Sequence, residues 1–154
     1  MHKISLATKQ DISRIVKIHK KCISETNAKF YDKKTIKNWL NLVNKENVLY
    51  QFEDSIWIII KEDNYTVGFA QYDLKDNELY QIQIDPNYQG RGYGKELYDY
   101  IENDFRKNNK VKISLNATLN AVSFYKKLGF KEIKNISCSG IDMITMEKIL
   151  EGKW

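Results

Sequence analysis

Three of the chain's seven glycines fall within five positions, in Gln89-Gly90-Arg91-Gly92-Tyr93-Gly94-Lys95. Glycine lets an anion approach the main chain with no Cβ in the way. The amides that open a helix lack intrahelical partners and carry the positive end of its dipole. Residues 90–95 therefore read as a cradle for phosphate or pyrophosphate, since a plain tight turn would need one glycine rather than three. The spacing excludes two familiar phosphate loops. The pattern G-x-x-x-x-G-K-[ST] fails because Gly90 to Gly94 is one residue short and Glu96 follows Lys95. The dinucleotide pattern G-x-G-x-x-G fails because Lys95 stands where the third glycine belongs.

Other reactive side chains are sparse. Tyr125 shares an apolar helical face with Ala121, Phe124 and Leu128. His19 lies on the inner face of a first helix, where a satisfied core histidine is the simpler reading. Asp73 and Glu78 flank a short turn between two strands, and most carboxylates so placed are surface groups. Cys22 and Cys138 form neither a disulfide framework nor a metal-ligand pair.

Two stretches carry a resemblance. "QGRGYG", Gln89 to Gly94, resembles the [QR]-x-x-G-x-[GA] loop of the GNAT N-acetyltransferases. "AVSFYKKLGF", Ala121 to Phe130, resembles the A-x-x-F-Y-x-x-x-G-F segment that follows it in that family. The two occur in the family's order with a strand between them, and the resemblance is carried by residues 78–130. It implies acetyl-CoA as co-substrate, without a metal, held by Gln89, Gly90, Arg91, Gly92, Tyr93, Gly94 and Lys95 at its phosphates. It further implies that the backbone of Ile82, Gln83 and Ile84 pairs with the pantetheine arm as an added strand would. Asn116 and Asn120 are placed to bond the same arm or the phosphates, and Thr118 stands where many members have asparagine. Tyr125 takes the part of the acid at the CoA sulfur. Some members carry a glutamate on the strand before the second motif, where this chain has Ile113, so no base is assigned. Phe30 and Tyr31, in the segment the family uses for its acceptor, and Glu78 are the expected acceptor contacts.

These groups need positioning elements. Ile12, Ile15, Val16, His19, Cys22 and Ile23 keep helical spacing, with Asp11 placed to cap the helix. Ile36, Trp39, Leu40 and Val43 repeat that spacing. "SIWIIIK", "TVGFAQYDL" and "ELYQIQI" read as an antiparallel meander, the last with Tyr80, Ile82 and Ile84 on one face and Leu79, Gln81 and Gln83 on the other. Gly94, Leu97, Tyr98, Ile101 and Phe105 mark a helix, "VKISL" a strand, Ala121 to Leu128 a helix, and two strands close the chain. A helix between "ELYQIQI" and "VKISL" requires a parallel crossover. The expected class is α+β (α/β in looser usage): a three-layer, mixed, mostly antiparallel sheet of six to seven strands flanked by four helices.

At 154 residues the chain reads as one domain, residues 1–154. The longest apolar run, "IWIII", is too short to cross a bilayer, and the first residues lack a signal-peptide core. A cytoplasmic location with no membrane contact follows. The net charge of +5 conceals an acidic middle: residues 49–104 carry 12 acidic and 4 basic groups, between basic ends. That pattern lacks a nucleic-acid module, so no nucleic-acid partner is expected. The reading is an acyltransferase moving acetyl from acetyl-CoA to a primary amine by direct attack in a ternary complex. Because Lys29, Lys33, Lys34 and Lys37 crowd the acceptor segment, a small or amino-acid-like amine with a carboxylate or other polar group (or a peptide or protein amine) is expected rather than a polycation. The chain is expected as a monomer or homodimer, and the competing reading is a CoA-binding sensor without turnover.

Overall fold

A computed structural model describes residues 2–150. Seven strands make one sheet, in the order β1-β2-β3-β4-β5-β7-β6. They are β1 (His2–Leu6), β2 (Ile56–Glu62), β3 (Tyr65–Asp73), β4 (Glu78–Ile84), β5 (Lys112–Thr118), β6 (Lys131–Cys138) and β7 (Ile141–Ile149). The helices are α1 (Ile12–Glu25), α2 (Lys33–Leu42), α3 (Lys45–Phe52), α4 (Tyr93–Lys107) and α5 (Val122–Lys127). This is the expected α+β architecture with one helix more than the sequence pattern announces.

The sheet separates two apolar clusters. On one face Ile58, Ile60, Ala70 and Leu79 pack with Leu97, Tyr98, Ile101 and Phe105 of α4. On the other, Trp57, Ile59 and Phe69 pack with Ile15, Ile18 and Ile23 of α1 and Trp39 of α2. The continuous run in β2 is explained by this sandwiching: its alternate side chains are buried on both sides.

Three local expectations change. Helix α3 is additional; Asn44 caps it by accepting from the Asn47 amide at 2.9 Å, but of its residues only Val48 is buried, so its apolar stripe is faint. Asp11 does not cap α1 through its side chain. Its carboxylate accepts the Thr8 amide at 2.7 Å and closes the preceding turn instead. In β4 the alternation breaks at Tyr80. Gln71 pairs with Gln81, yet Tyr72 pairs with Leu79, so Tyr80 is an extra, bulged residue. Leu79 therefore joins Ile82 and Ile84 on the α4 side, and Tyr80 turns outward, exposed.

Pairing between β4 and β5 sets up the site. The strands are parallel and register at one pair only, Glu78 with Ser114, closed by the Ser114 amide on the Asn77 carbonyl at 2.8 Å. Beyond that vertex they diverge. Elsewhere β4 is paired along its length with β3, so its other edge, from Leu79 to Ile84, faces an open gap.

Candidate active site

A cleft of about 530 Å³ occupies the open end of that gap. Its floor is Ile82, Gln83 and Ile84 of β4, and one wall is the turn carrying Gln89, Gly90, Gly92, Tyr93, Gly94 and Lys95. Asn120 and Tyr125 stand opposite. Thus eleven of the expected cofactor residues meet in one place.

The glycine turn is shaped by conformation. Gly90 and Gly92 adopt φ of 78° and 88°, a left-handed region that side chains resist, and a Cβ at either would meet nothing within 4 Å. Gly92 is the N-cap of α4 and supplies no side chain to it. The first helical bond runs from the Glu96 amide to the Gly92 carbonyl at 3.1 Å, leaving the amides ahead of Glu96 with no carbonyl inside the helix to receive them. An anion in the cleft meets this positive end.

Asp85 holds the turn to the rest of the fold. Only 2% exposed, it receives Arg14 at 2.9 Å and Lys21 at 2.8 Å, both from α1, and the Asn87 amide at 3.0 Å. Burial raises its pKa, but the Lys21, Asn87 and Arg14 hydrogen bonds outweigh this and hold the carboxyl below its ordinary range. Cys22, also on α1, donates its thiol to the Ile84 carbonyl at 3.1 Å, and Gln89 Nε2 donates to that same carbonyl at 3.1 Å. Ile84 thus has its carbonyl engaged within the protein.

Tyr125 is 5% exposed and wedged edge-on between Phe124 and Phe130 at 5.1 and 5.6 Å between ring centroids. Burial pushes its pKa up. It remains a neutral phenol, a hydrogen-bond donor rather than a ready acid.

The other expected residues fall outside the cleft. Arg91 lies over the Tyr88 ring at 5.0 Å and near Glu62 at 3.8 Å. Asn116 accepts from Thr145 at 2.8 Å on the opposite face of β5, and Thr118 shares that face. The Tyr31 hydroxyl donates to the Asp142 carbonyl at 2.5 Å and accepts the Leu119 amide at 3.0 Å, a tie between the chain before α2 and the sheet. Phe30 is exposed. Glu78 sits at the vertex, where burial first, then Asp76 and Asp73, raise its pKa. His19 packs edge-on against Phe69 at 6.1 Å, and burial lowers its pKa to about 4.

Sequence reasoning missed several cleft residues. Asn27, 4% exposed, donates to Asn120 at 2.5 Å and bridges the turns after α1 and β5. The two are 93 residues apart, so no local pattern could pair them. Cys22, Thr26, Tyr88, Ala121 and Phe124 also line the cleft. A chain of amides crosses the α1 face of the sheet: Gln83 donates to Gln81 at 3.2 Å, Gln81 to Gln71 at 2.9 Å, and Gln71 to Gln51 at 3.0 Å.

Among the described residues, no helix is long and apolar enough to cross a membrane, and no cluster of metal-ligating side chains gathers.

Known proteins share this fold. Over 57 residues the chain is 35% identical to the uncharacterized N-acetyltransferase YlbP of Bacillus subtilis, a stretch covering 37% of this chain and 32% of that protein. The match thus spans about a third of the curated relative's length. A GCN5-related N-acetyltransferase from Rhodopseudomonas palustris superposes with a TM-score of 0.88 at 20% identity, covering 96% of this chain and 95% of that one. The PaiA N-acetyltransferase of Thermoplasma acidophilum, solved with coenzyme A, gives 0.82 at 25% identity over 97% and 99% of the two chains. Residues 27–150 match the acetyltransferase (GNAT) domain model, and with a splayed β4–β5 pair opening onto a glycine turn, the chain belongs to the GNAT acetyltransferase family.

Proposed function

We propose that the protein is a single-domain, cytoplasmic N-acetyltransferase that moves the acetyl group of acetyl-CoA to the primary amine of a small molecule. The observation that carries this reading is the single β4–β5 pair at Glu78 and Ser114, which leaves a strand edge open for an amide-bearing arm to join. The glycine turn at the far end of that edge suits the pyrophosphate, held by the amides of residues 92–95 with Arg91 and Lys95 alongside. The coenzyme A bound to PaiA supports the same ligand here. Asn120, steadied by Asn27, is the side chain we assign to the arm, in preference to Asn116 and Thr118.

In the transfer, the neutral amine nitrogen attacks the thioester carbon, the C–S bond breaks, the sulfur leaves as thiolate with the electron pair, and the surplus proton on nitrogen passes to solvent water. A strand amide among residues 82–84 meets the developing oxyanion. Tyr125 donates a hydrogen bond to the departing sulfur; its raised pKa makes full proton transfer less favourable still than for a free phenol. Glu78, at the closed end with its pKa raised, is assigned to the amine side. A Glu78→Gln enzyme with an unchanged KM for the amine would remove it from that role.

The test of the cofactor site compares two isosteres. Gly92 needs a left-handed residue, which asparagine and aspartate both tolerate. Calorimetry should give one acetyl-CoA per chain, with Gly92→Asp binding at least about tenfold more weakly than Gly92→Asn because the carboxylate meets phosphate. Equal affinities in two folded variants would sink the phosphate assignment.

A further inference from the structure

A second cavity of about 220 Å³ lies on the α1 face of the sheet, beside the cleft. Trp39, Val48, Trp57 and Met143 are among its apolar walls, and Gln81, His19, Gln51, Asn47 and Ser139 form its polar ones. We propose that this cavity is the acceptor pocket, and that it takes an amine whose tail is uncharged and aromatic or branched aliphatic. The proposal rests on the acetyltransferase reading and names its substrate class.

The walls carry no charge. Among the described residues that line the cavity there is no aspartate, glutamate, lysine or arginine. The one titratable ring, His19, is held neutral at physiological pH by its burial. A carboxylate or second ammonium placed here would leave water without a counter-charge, which disfavours it. An apolar tail meets the opposite situation. Trp57 stands in a stack, 5.3 Å from Phe52 and 5.9 Å from Phe69, and Trp39 is braced edge-on by Tyr31 at 5.4 Å. These rings are rigid before any ligand arrives, so little ordering is needed to bind one more. A cavity of roughly 150 Å³ already accepts a benzene ring.

The position suits an acceptor. Gln81 lines this cavity and Gln83 lines the cleft, two residues apart on one face of β4, a rise of roughly 7 Å. Their side chains are bonded at 3.2 Å, and the onward bonds to Gln71 and Gln51 fix the orientation of Gln81. A tail seated against Trp39 and Trp57 directs its amine toward the open edge of β4. The lysines expected to govern acceptor choice do not enter: Lys29, Lys33, Lys34 and Lys37 are exposed to solvent, and none lines the cavity.

The experiment compares phenethylamine, ethylamine, spermidine and glutamate with the full chain and acetyl-CoA. Phenethylamine should show kcat/KM at least about tenfold above each of the others, the discrimination expected of an apolar pocket. It should also perturb tryptophan fluorescence without acetyl-CoA present. Val48→Phe fills the cavity and should cut phenethylamine affinity about tenfold while leaving acetyl-CoA affinity unchanged. If that variant fails to fold, Leu42→Lys places a cation at the cavity's exposed rim and should weaken phenethylamine in the same direction. Spermidine, glutamate or ethylamine matching phenethylamine would overturn the proposal, as would folded variants with unaltered amine binding. Failure to bind acetyl-CoA would instead defeat the enzymatic reading on which it rests.

Discussion

Gly90 and Gly92 wall the cleft with main chain, whereas Trp39, Trp57 and Val48 wall the neighbouring cavity with side chains. The first wall is one short turn whose shape depends on two left-handed glycines. The second is assembled from α1, α2, α3, β2, β4, β6 and β7, with contributors from His19 to Met143. A main-chain wall offers amides, which suit phosphate whatever else the ligand carries. A side-chain wall offers size and polarity, which can change residue by residue without disturbing the turn next door. The two walls should therefore respond to different substitutions.

The largest effect is expected at Tyr125. Tyr125→Phe keeps the ring between Phe124 and Phe130 and removes the hydroxyl, so turnover should fall by roughly 10²–10⁴. Affinities for acetyl-CoA and for phenethylamine should stay within about twofold. Wild-type turnover at saturating substrates would make this tyrosine a packing residue only, and would leave the cleft without an identified catalytic side chain.

A smaller loss is expected from Asp85→Asn, which strands Arg14 and Lys21 beside the cleft. Both cations are part-exposed, so the cost should be about 2 kcal/mol in urea unfolding, below the range for fully buried pairs. Because the Asp85 pKa is held below its ordinary 3.8, its contribution is present above that pH and disappears as pH falls through the lowered value. Wild type and variant should converge in acid. A difference that persists undiminished once the carboxyl is protonated, of order the neutral-pH value, would show that packing rather than charge joins α1 to the turn.

The smallest effect is at His19, in the second cavity. Its pKa falls from 6.5 to about 4 on folding. Stability is therefore complete above 6.5 and erodes as pH falls toward about 4, because the unfolded chain takes up the proton first. Near pH 5.5 the loss should be about 1 kcal/mol, and His19→Gln should flatten that part of the curve. Identical pH profiles would mean that the ring is hydrated, and the cavity more polar than its walls imply.

The same contrast explains what could be read from the sequence. The glycine turn and α4 were legible because backbone conformation and apolar spacing are written within a few consecutive residues, from Gly90 to Phe105. The parallel crossover followed from a helix between two strands. That β4 and β5 splay around the pantetheine arm came from the family resemblance alone; where they part, just past Glu78 and Ser114, did not follow, since a strand's edge leaves no composition of its own. The Asn27–Asn120 bridge and the second cavity join side chains far apart in the chain, and no spacing announces them. Phe30 and Tyr31 illustrate the converse. Aromatic and placed in the segment the family uses for its acceptor, they looked suited to that role, but the Tyr31 hydroxyl is spent on the main chain at Leu119 and Asp142.

Tyr80 changes the parity of β4. Leu79 occupies an odd position and Ile82 and Ile84 even ones, yet all three face α4, because one residue between them is not counted by β3. Deleting Tyr80 would leave every remaining side chain of β4 on the face it now occupies. What would be lost is the extra length that bows the strand just past its only registered pair with β5. In this protein, one surplus residue on an otherwise regular ladder lets a gap persist between two neighbouring strands.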